Sequence, residues 1–260
     1  MWEVILQWIF NVIDFFYGLV GDWGLSIIII TVIFRILVAP LMHKQAKSNY
    51  KMQKIQPQMQ KLQEKYAGDQ VRLSQEMQKL YAEAKFNPLA GCLPMLLQMP
   101  IFLALFQVLR NIGDYIQGDP GAISFYNLVP SLTQTPAGAF SEGIGTFVPY
   151  LILMIIFAGA TFFPMIQQQL KNKDNKMRNQ TLIMGILMSL FMLWISWGSP
   201  AGVLLFWGVS SLIGIAQNQF TLSRCRRADA AEEAAAKLEV KPVEVDVVRK
   251  QKKQRQHKKH

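Results

Sequence analysis

The chain has 260 residues, is 51% hydrophobic, and carries 27 Lys and Arg against 17 Asp and Glu, which gives a formal net charge of +10. Its two cysteines, Cys92 and Cys225, are far apart, and with three histidines, two of them in the last four residues, they offer no zinc or haem ligand set. Since Walker A, G-x-G-x-x-G and G-x-S-x-G sequences are also absent, we expect no metal, no cofactor and no enzymatic activity.

The apolar residues gather in five runs, near 25–42, 89–109, 147–166, 182–197 and 201–222. Most runs approach the ~20 residues with which a helix crosses a bilayer, whereas a soluble helical protein spreads its apolar residues at a period of 3.6. The distribution predicts an all-α polytopic membrane protein. Its five transmembrane helices are expected at 24–43, 88–112, 147–168, 181–197 and 201–222.

Residues 1–20 precede the first span and are expected to form an amphipathic helix. Glu3, Gln7, Asn11 and Asp14 are spaced so that they share one helical face, and apolar side chains, including two tryptophans, cover the rest. This pattern is typical of a helix that lies in the membrane interface. A sixth spanning segment is the alternative.

The first span, 24–43, contains Arg35 in an otherwise apolar stretch. None of the five runs contains Asp or Glu, so no ion pair within the membrane can neutralise this charge. Arg35 precedes His43 by eight residues, or about 12 Å of helix, which is more than an arginine side chain comfortably reaches. The sequence therefore favours a wet, protein-lined cavity, with snorkelling and local bilayer thinning as the alternative.

Residues 44–86 are Lys- and Gln-rich and contain two apolar stripes at helical spacing, separated by the sequence AGD at 67–69. We expect a cytoplasmic two-helix hairpin with a narrow apolar seam. A solvated linker without a partner is one interpretation. A surface that touches lipid headgroups, a ribosome or nascent chains is the other.

Other polar groups could line the same cavity as Arg35, namely Gln98 inside the second span and Gln217 near the cytoplasmic end of the fifth. The fourth, at about 24 Å, is shorter than a ~30 Å hydrocarbon core and could thin the bilayer. Met184, Met188 and Met192 share one of its faces. Contact with lipid or packing against other helices is one interpretation of these methionines. The other is a flexible apolar surface along which substrate segments move.

Lysine and arginine predict the orientation of the chain. They are abundant in 44–86, in the connection 169–180 and in the basic tail 223–260, and absent from the loop 113–146. With five spans, the three segments rich in Lys and Arg all fall on one side of the membrane and the loop 113–146 falls on the other. The N-terminus is therefore expected outside and the C-terminus in the cytoplasm. The tail is predicted to be disordered apart from a short helix around 228–238. Its cations suit anionic lipid or ribosomal RNA as a partner. Alternatively, the positive charges only keep the tail on the cytoplasmic side of the membrane.

Three segments resemble the YidC/Oxa/Alb membrane protein insertases. They are FRILVAPL at 34–41, NPLAGCLPMLLQMPIFLALFQVLR at 87–110 and SPAGVLLFWGVSSLIGIAQNQF at 199–220. The three segments occur in the same order as in the family. Together with the parts between them, they cover nearly the whole chain. The short form with five spans is similar to the Gram-positive type. Two positions depart from the family: Phe206 stands where Tyr is usual, and Ser211 where Asn is frequent.

The resemblance implies a hydrophilic groove open to the cytosol and to lipid and closed to the outside. Arg35 matches the groove arginine, Gln98 the polar residue of the QMP motif and Trp207 the aromatic residue of the fifth span. It also implies an insertase and folding chaperone of the bacterial cell membrane that acts on nascent membrane proteins. The ribosome, a Sec translocon and membrane lipids are further candidate partners.

Two other functions remain open at this point. Arg35 suits a small-anion transporter, for which internal repeats or unwound half-helices are expected. The basic hairpin and tail suit a scaffold that binds ribosomes or lipids.

Overall fold

The computed structural model describes residues 1–87, 93–116, 123–169 and 175–239. In these ranges the chain is helical apart from its connections, which contain one isolated antiparallel bridge between Phe125 and Val129. The helices are α1 (Trp2–Val20), α2 (Trp23–Leu37), α3 (Ala39–Lys65), α4 (Gln70–Glu83), α5 (Leu93–Arg110), α6 (Pro136–Glu142), α7 (Ile144–Gln169), α8 (Asn175–Trp197) and α9 (Ala201–Glu239). The predicted all-α class is confirmed for the described residues.

The chain divides into two compact units, Met1–Ser223 and Arg224–His260. The first holds the apolar core, to which α1, α2, α5, α7 and α9 all contribute. Of the second, residues 224–239 belong to α9, and the predicted disorder of the remaining tail falls on 240–260, outside the described residues. Cys92 and residues 170–174 of the predicted connection 169–180 also lie outside them.

Helix α1 packs through Leu6, Phe10 and Ile13, which recur at helical spacing and are buried. Its polar contacts begin at Trp2, whose Nε1 donates to Oε1 of Gln107 at 2.7 Å. Further along, the Phe10 ring stacks on Tyr115 at 5.1 Å and the Tyr17 ring on Trp23 at 4.2 Å. Gln107 lies near the C-terminal end of α5, Tyr115 just beyond that end and Trp23 at the N-terminal end of α2.

Helices α2 and α3 occupy the predicted first span but do not form one straight helix. They meet at Val38 with a bend of 63°. Pro40 explains the break, because it has no N–H for the carbonyl of residue 36 and its ring crowds that carbonyl. The span expected at 24–43 therefore consists of α2 and the first turn of α3, and the predicted hairpin segment begins within α3.

By length and composition, two described helices could cross a membrane, α1 and the part Ala201–Ala235 of α9. The bent pair α2 and α3 makes a third if it is counted as one span. The segments Gln98–Arg110, Ile144–Ala160 and Leu182–Trp197 are apolar but shorter. The membrane-protein class of the fold thus follows from the described residues, while the number of five spans stays a prediction.

Helices α3 and α4 are antiparallel neighbours joined by a short turn. Asp69 caps α4, accepting from the Arg72 backbone N–H at 3.0 Å, and Lys51 Nζ donates to the Lys85 carbonyl at 3.3 Å. Ala46, Ile55 and Leu80 are the buried apolar side chains of the pair. Two helices with so little buried apolar surface depend on their neighbours for stability.

Candidate functional site

Arg35 lies in the last turn of α2, directly before the bend. Its Nε donates to the Ser210 hydroxyl of α9 at 2.7 Å, and its Nη1 lies 4.0 Å from the Met42 sulfur of α3. No ion pair to Arg35 is found among the residues that the structure describes. The helix dipole favours a cation at the C-terminal end of a helix. The guanidinium has five N–H donors, and the Ser210 hydroxyl accepts only one of them, so most remain for another acceptor.

Gly214 of α9 makes room for the guanidinium. A Cβ atom at position 214 would lie 3.1 Å from Nη1 of Arg35, closer than ordinary van der Waals contact allows. The absence of a side chain therefore lets the guanidinium lie against the backbone of α9.

Gln217 and Thr221, on the same side of α9, hold the chain on both sides of the bend. Gln217 Nε2 donates to the Arg35 carbonyl at 3.3 Å, and Thr221 Oγ1 lies 3.1 Å from Nδ1 of His43. Because the Thr221 hydroxyl already donates to the Gln217 carbonyl at 3.0 Å, His43 Nδ1 is the donor in their contact. The bend is thus anchored through residue 35 of α2 and residue 43 of α3.

A cavity of about 330 Å³ lies beside Arg35. Helices α3 and α9 supply most of its wall and α7 supplies one residue. The lining residues are Arg35, Met42, Gln45, Ala46, Asn49, Ala160, Trp207, Ser211, Gly214, Ile215, Gln217 and Asn218. Arg35 is the one side chain in this set that carries a charge, so the site presents a single cation in a neutral, partly polar wall.

The site residues expected from sequence fall into three groups. Arg35, Trp207 and Gln217 line the same cavity, and Trp207 is fixed there by edge contacts with Phe102 and Phe157 at 5.1 and 5.5 Å. Gln98 is partly buried on α5 and is not among the lining residues. Met184 and Met188 are exposed on α8, whereas Met192 packs against the core.

Several lining residues were not singled out from sequence, although a signal for them exists. On α3 the residues Met42, Gln45, Ala46 and Asn49 recur at 3, 4 and 7 positions, and on α9 the cavity face runs through 207, 211, 214 and 218. Each set is one face of a helix. Polar and small residues on one face of an apolar helix are the pattern that could have found them.

A second cavity, of about 220 Å³, lies among α1, α2, α5 and α9 and is lined only by aliphatic and aromatic side chains. It contains no group that could bind or neutralise a charge. In the described residues there is also no group of three or more His, Cys, Asp or Glu side chains that could hold a metal ion.

At the other end of α2, about 20 Å of helix from Arg35, a loop segment crosses the bundle. The buried carboxylate of Asp22 accepts from the backbone N–H groups of Leu25 and Tyr126, both at 2.7 Å. Gly24 lies so close to Phe125 that a Cβ atom would come within 2.5 Å of that ring. The N-terminal end of α2 therefore carries residues 124–126 on its surface.

The same segment continues to α7 and α9. The Leu132 and Gln134 carbonyls accept from the first N–H groups of α9, Gly202 at 2.8 Å and Ala201 at 2.9 Å. Tyr150 of α7 is fully buried, and its hydroxyl donates to the Ser131 carbonyl at 3.0 Å. Residues 123–134 thus cover the N-terminal ends of α2 and α9, opposite to the end of α2 that bears Arg35.

Comparison with known proteins gives a family match over most of the chain. The model of the family described as 60Kd inner membrane protein matches residues 15–228. A protein named membrane protein insertase YidC from Haemophilus influenzae (strain PittEE) is 36% identical over 211 residues, which cover 81% of this chain and 35% of that protein. One of the same name from Treponema pallidum (strain Nichols) is 31% identical over 225 residues, covering 83% and 34%.

A solved structure is also similar, the crystal structure of an active YidC insertase with its first transmembrane domain resolved. Its TM-score is 0.58 at 26% sequence identity, and the match covers 83% of this chain and 46% of that chain. The chain spans about a third of the length of the two curated relatives that it matches.

Proposed function

Because this chain belongs to the 60Kd inner membrane protein family, which comprises the YidC/Oxa/Alb insertases, we propose that it inserts nascent proteins into the bacterial cell membrane and assists their folding there. The observation that carries this proposal is Arg35, a cation without an acidic partner among the described residues, beside a cavity of about 330 Å³. The missing acid is supplied by the substrate.

The membrane arrangement that we propose has five spans, with α1 in the outer interface. The contacts of α1 with Gln107 near the end of α5, with Tyr115 just beyond it and with Trp23 at the start of α2 support the interfacial position. The N-terminus is then outside, and α3, α4 and the basic tail are cytoplasmic.

In this arrangement the Arg35 cavity is open from one side only. Residues 123–134 lie on the outer ends of α2 and α9, while Gln45 and Asn49 of α3 extend the cavity towards the cytoplasm. A polar segment of a nascent chain can enter without opening a path for ions through the membrane.

The mechanism is electrostatic and hydrophobic, with no covalent step. A charge at the bilayer centre costs about 3 kcal/mol or more, and Arg35 lowers this cost for an acidic segment by pairing with it partway across. The apolar part of the substrate then leaves the protein for lipid, at roughly 0.8 kcal/mol per buried CH₂. A membrane potential that is positive outside favours the outward movement of acidic segments.

The test is insertion of a ribosome-synthesised membrane protein with a short acidic outer tail into proteoliposomes that contain the full chain. We expect protection of the tail from added protease, dependent on the protein. Failure to insert, together with uptake of a labelled small anion, would instead identify a transporter. Failure of both, with ribosome or liposome binding retained, would identify a scaffold.

A further inference from the structure

The polar groups around Arg35 are neutral and mostly amides. Helix α3 contributes Gln45 and Asn49, and α9 contributes Ser211, Gln217 and Asn218. The Asn49 and Asn218 side chains are half-buried, and neither has a hydrogen bond in the part of the chain that the structure describes. Each primary amide donates and accepts, as a peptide group does.

The spacing of these residues suits an extended chain. Gln45 and Asn49 are one helical turn apart, about 6 Å along α3, and Ser211 and Asn218 are two turns apart, about 10.5 Å along α9. An extended polypeptide repeats its main-chain groups every two residues, or about 6.7 Å. The spacing of Gln45 and Asn49 is close to this repeat, so their amides can meet successive main-chain groups on one edge of a strand. The ~10.5 Å between Ser211 and Asn218 is about one and a half repeats, so Asn218 can face that strand without Ser211.

We propose that Asn49 and Asn218 bind the main chain of an extended substrate segment, so that the cavity accepts polar segments of any sequence and Arg35 alone adds a preference for acidic ones. This inference rests on the proposed insertase function and assigns its substrate as unfolded, extended polypeptide. A helical segment satisfies its own N–H and C=O groups, whereas an extended one that enters the membrane needs partners for them.

Neutral amides suit this task better than charges. Burying an amide costs far less than burying an ion, and an amide neither attracts nor repels acidic or basic side chains strongly. A second lysine or a carboxylate at position 49 or 218 would restrict the substrates by charge. Arg35 thus selects substrates by charge, while the neutral amides of Asn49 and Asn218 bind the main chain.

The experiment compares the wild-type full chain with the double variant Asn49→Leu, Asn218→Leu, which keeps the branched shape of both side chains and removes both amides. Three substrates share one transmembrane segment and differ in the translocated segment, which is acidic, neutral Gly/Ser-rich, or neutral with proline at alternate positions. Proline removes the main-chain donor. Gln63→Leu, at an exposed amide of α3 outside the cavity, is the matched control.

We expect the double variant to insert the acidic and the Gly/Ser-rich substrates about tenfold more slowly, by nearly equal factors, which is the range for two lost hydrogen bonds. The proline substrate keeps its main-chain carbonyls and lacks only the donors, so it should lose about threefold, and Gln63→Leu should change nothing. The inference is overturned by a loss confined to one charge class, by an equal loss on the proline substrate, or by no loss at all. A wild-type protein that inserts none of the three would overturn the proposed function itself.

Discussion

At the scale of single residues, Arg35 is the group on which the proposed mechanism depends. Its Nε is held by Ser210 at 2.7 Å, so the guanidinium has a defined position rather than a free range of rotamers. A fixed cation in a partly dry cavity acts more strongly on an incoming carboxylate than the same cation in water.

Replacing Arg35 by Ala should slow the insertion of a substrate with an acidic translocated segment about tenfold, since about 1.4 kcal/mol of attraction is lost. A neutral Gly/Ser-rich segment should be affected less than twofold. Arg35→Lys should retain most of the activity if charge alone matters. Equal losses on both substrates, at normal protein levels in the membrane, would contradict an electrostatic role.

Gly214 gives a second test that leaves the charge in place. Because a Cβ at this position lies 3.1 Å from Nη1 of Arg35, Gly214→Ala should displace the guanidinium slightly and Gly214→Leu strongly. Insertion of the acidic substrate should fall by about threefold for Ala and by up to about tenfold for Leu, the loss expected when the charge is removed. Thermal stability in detergent should not fall for Ala, which is the better helix former.

The control for this pair is Gly159→Ala on α7, where an added Cβ meets nothing within 4 Å. It should leave the insertion of both substrates unchanged. If Gly214→Leu inserted the acidic substrate as well as the wild type, the position of the guanidinium against α9 would have no functional importance.

Sequence alone could identify Arg35, because a permanent charge in an apolar run is unusual and no acid lies in the other runs. Ser210 and Gly214 could not be assigned to it in the same way. Their role depends on which face of α9 meets α2, and a single sequence does not contain that pairing. The resemblance to the family places Gln98 in the groove, and this stays a prediction, since Gln98 is not among the described residues that line the cavity.

At the scale of helices and loops, the segment 123–134 is held by hydrogen bonds near both of its ends. Asp22 binds its start and Tyr150 binds its later part. A buried carboxylate that accepts two main-chain N–H groups is costly to remove, because both donors are then left without partners.

Asp22→Ala should therefore lower the free energy of unfolding by about 2–4 kcal/mol, measured by thermal or denaturant unfolding in detergent. Asp22→Asn keeps one acceptor oxygen and should lose roughly half as much. Tyr126, the partner in the loop, contributes its backbone N–H and not its ring, so Tyr126→Ala should be nearly neutral. A large loss from Tyr126→Ala and none from Asp22→Ala would reverse this account of the loop.

The boundary between α2 and α3 is a feature that the hydropathy pattern does not predict. The hydropathy of residues 24–43 continues across Pro40, and so indicates one span, whereas the backbone bends by 63° at Val38. Proline is a known signal for such a break, but its geometry depends on the anchoring by Gln217 and Thr221, which lie about 180 residues away in sequence. Tertiary contacts of this kind decide the angle.

At the scale of the whole molecule, the all-helical class and the family could both be predicted from sequence, the first from five apolar runs and the second from three motifs in order. The proposed opening of the cavity to one side could not. It depends on the bend between α2 and α3, on the face of α9 that meets them and on a loop that covers the opposite ends of the helices.

The proposed topology places the α3–α4 turn in the cytoplasm and α6 outside. In a variant without Cys92 and Cys225, Gly68→Cys should react with a membrane-impermeant maleimide only after the membrane is opened, whereas Ser141→Cys should react in intact cells. Both positions are exposed. Labelling of both from one side would exclude an odd number of spans between them and with it the five-span arrangement.

The central claim is that a nascent chain enters the Arg35 cavity, and site-specific photocrosslinking to a stalled nascent membrane protein tests it most directly. A photoreactive residue at Trp207 or at Asn218, both in the cavity wall, should crosslink to the polar segment of the nascent chain. One at Ile144, 77% exposed and remote from the cavity lining, should not. Crosslinks from Ile144 with none from positions 207 and 218 would contradict the account.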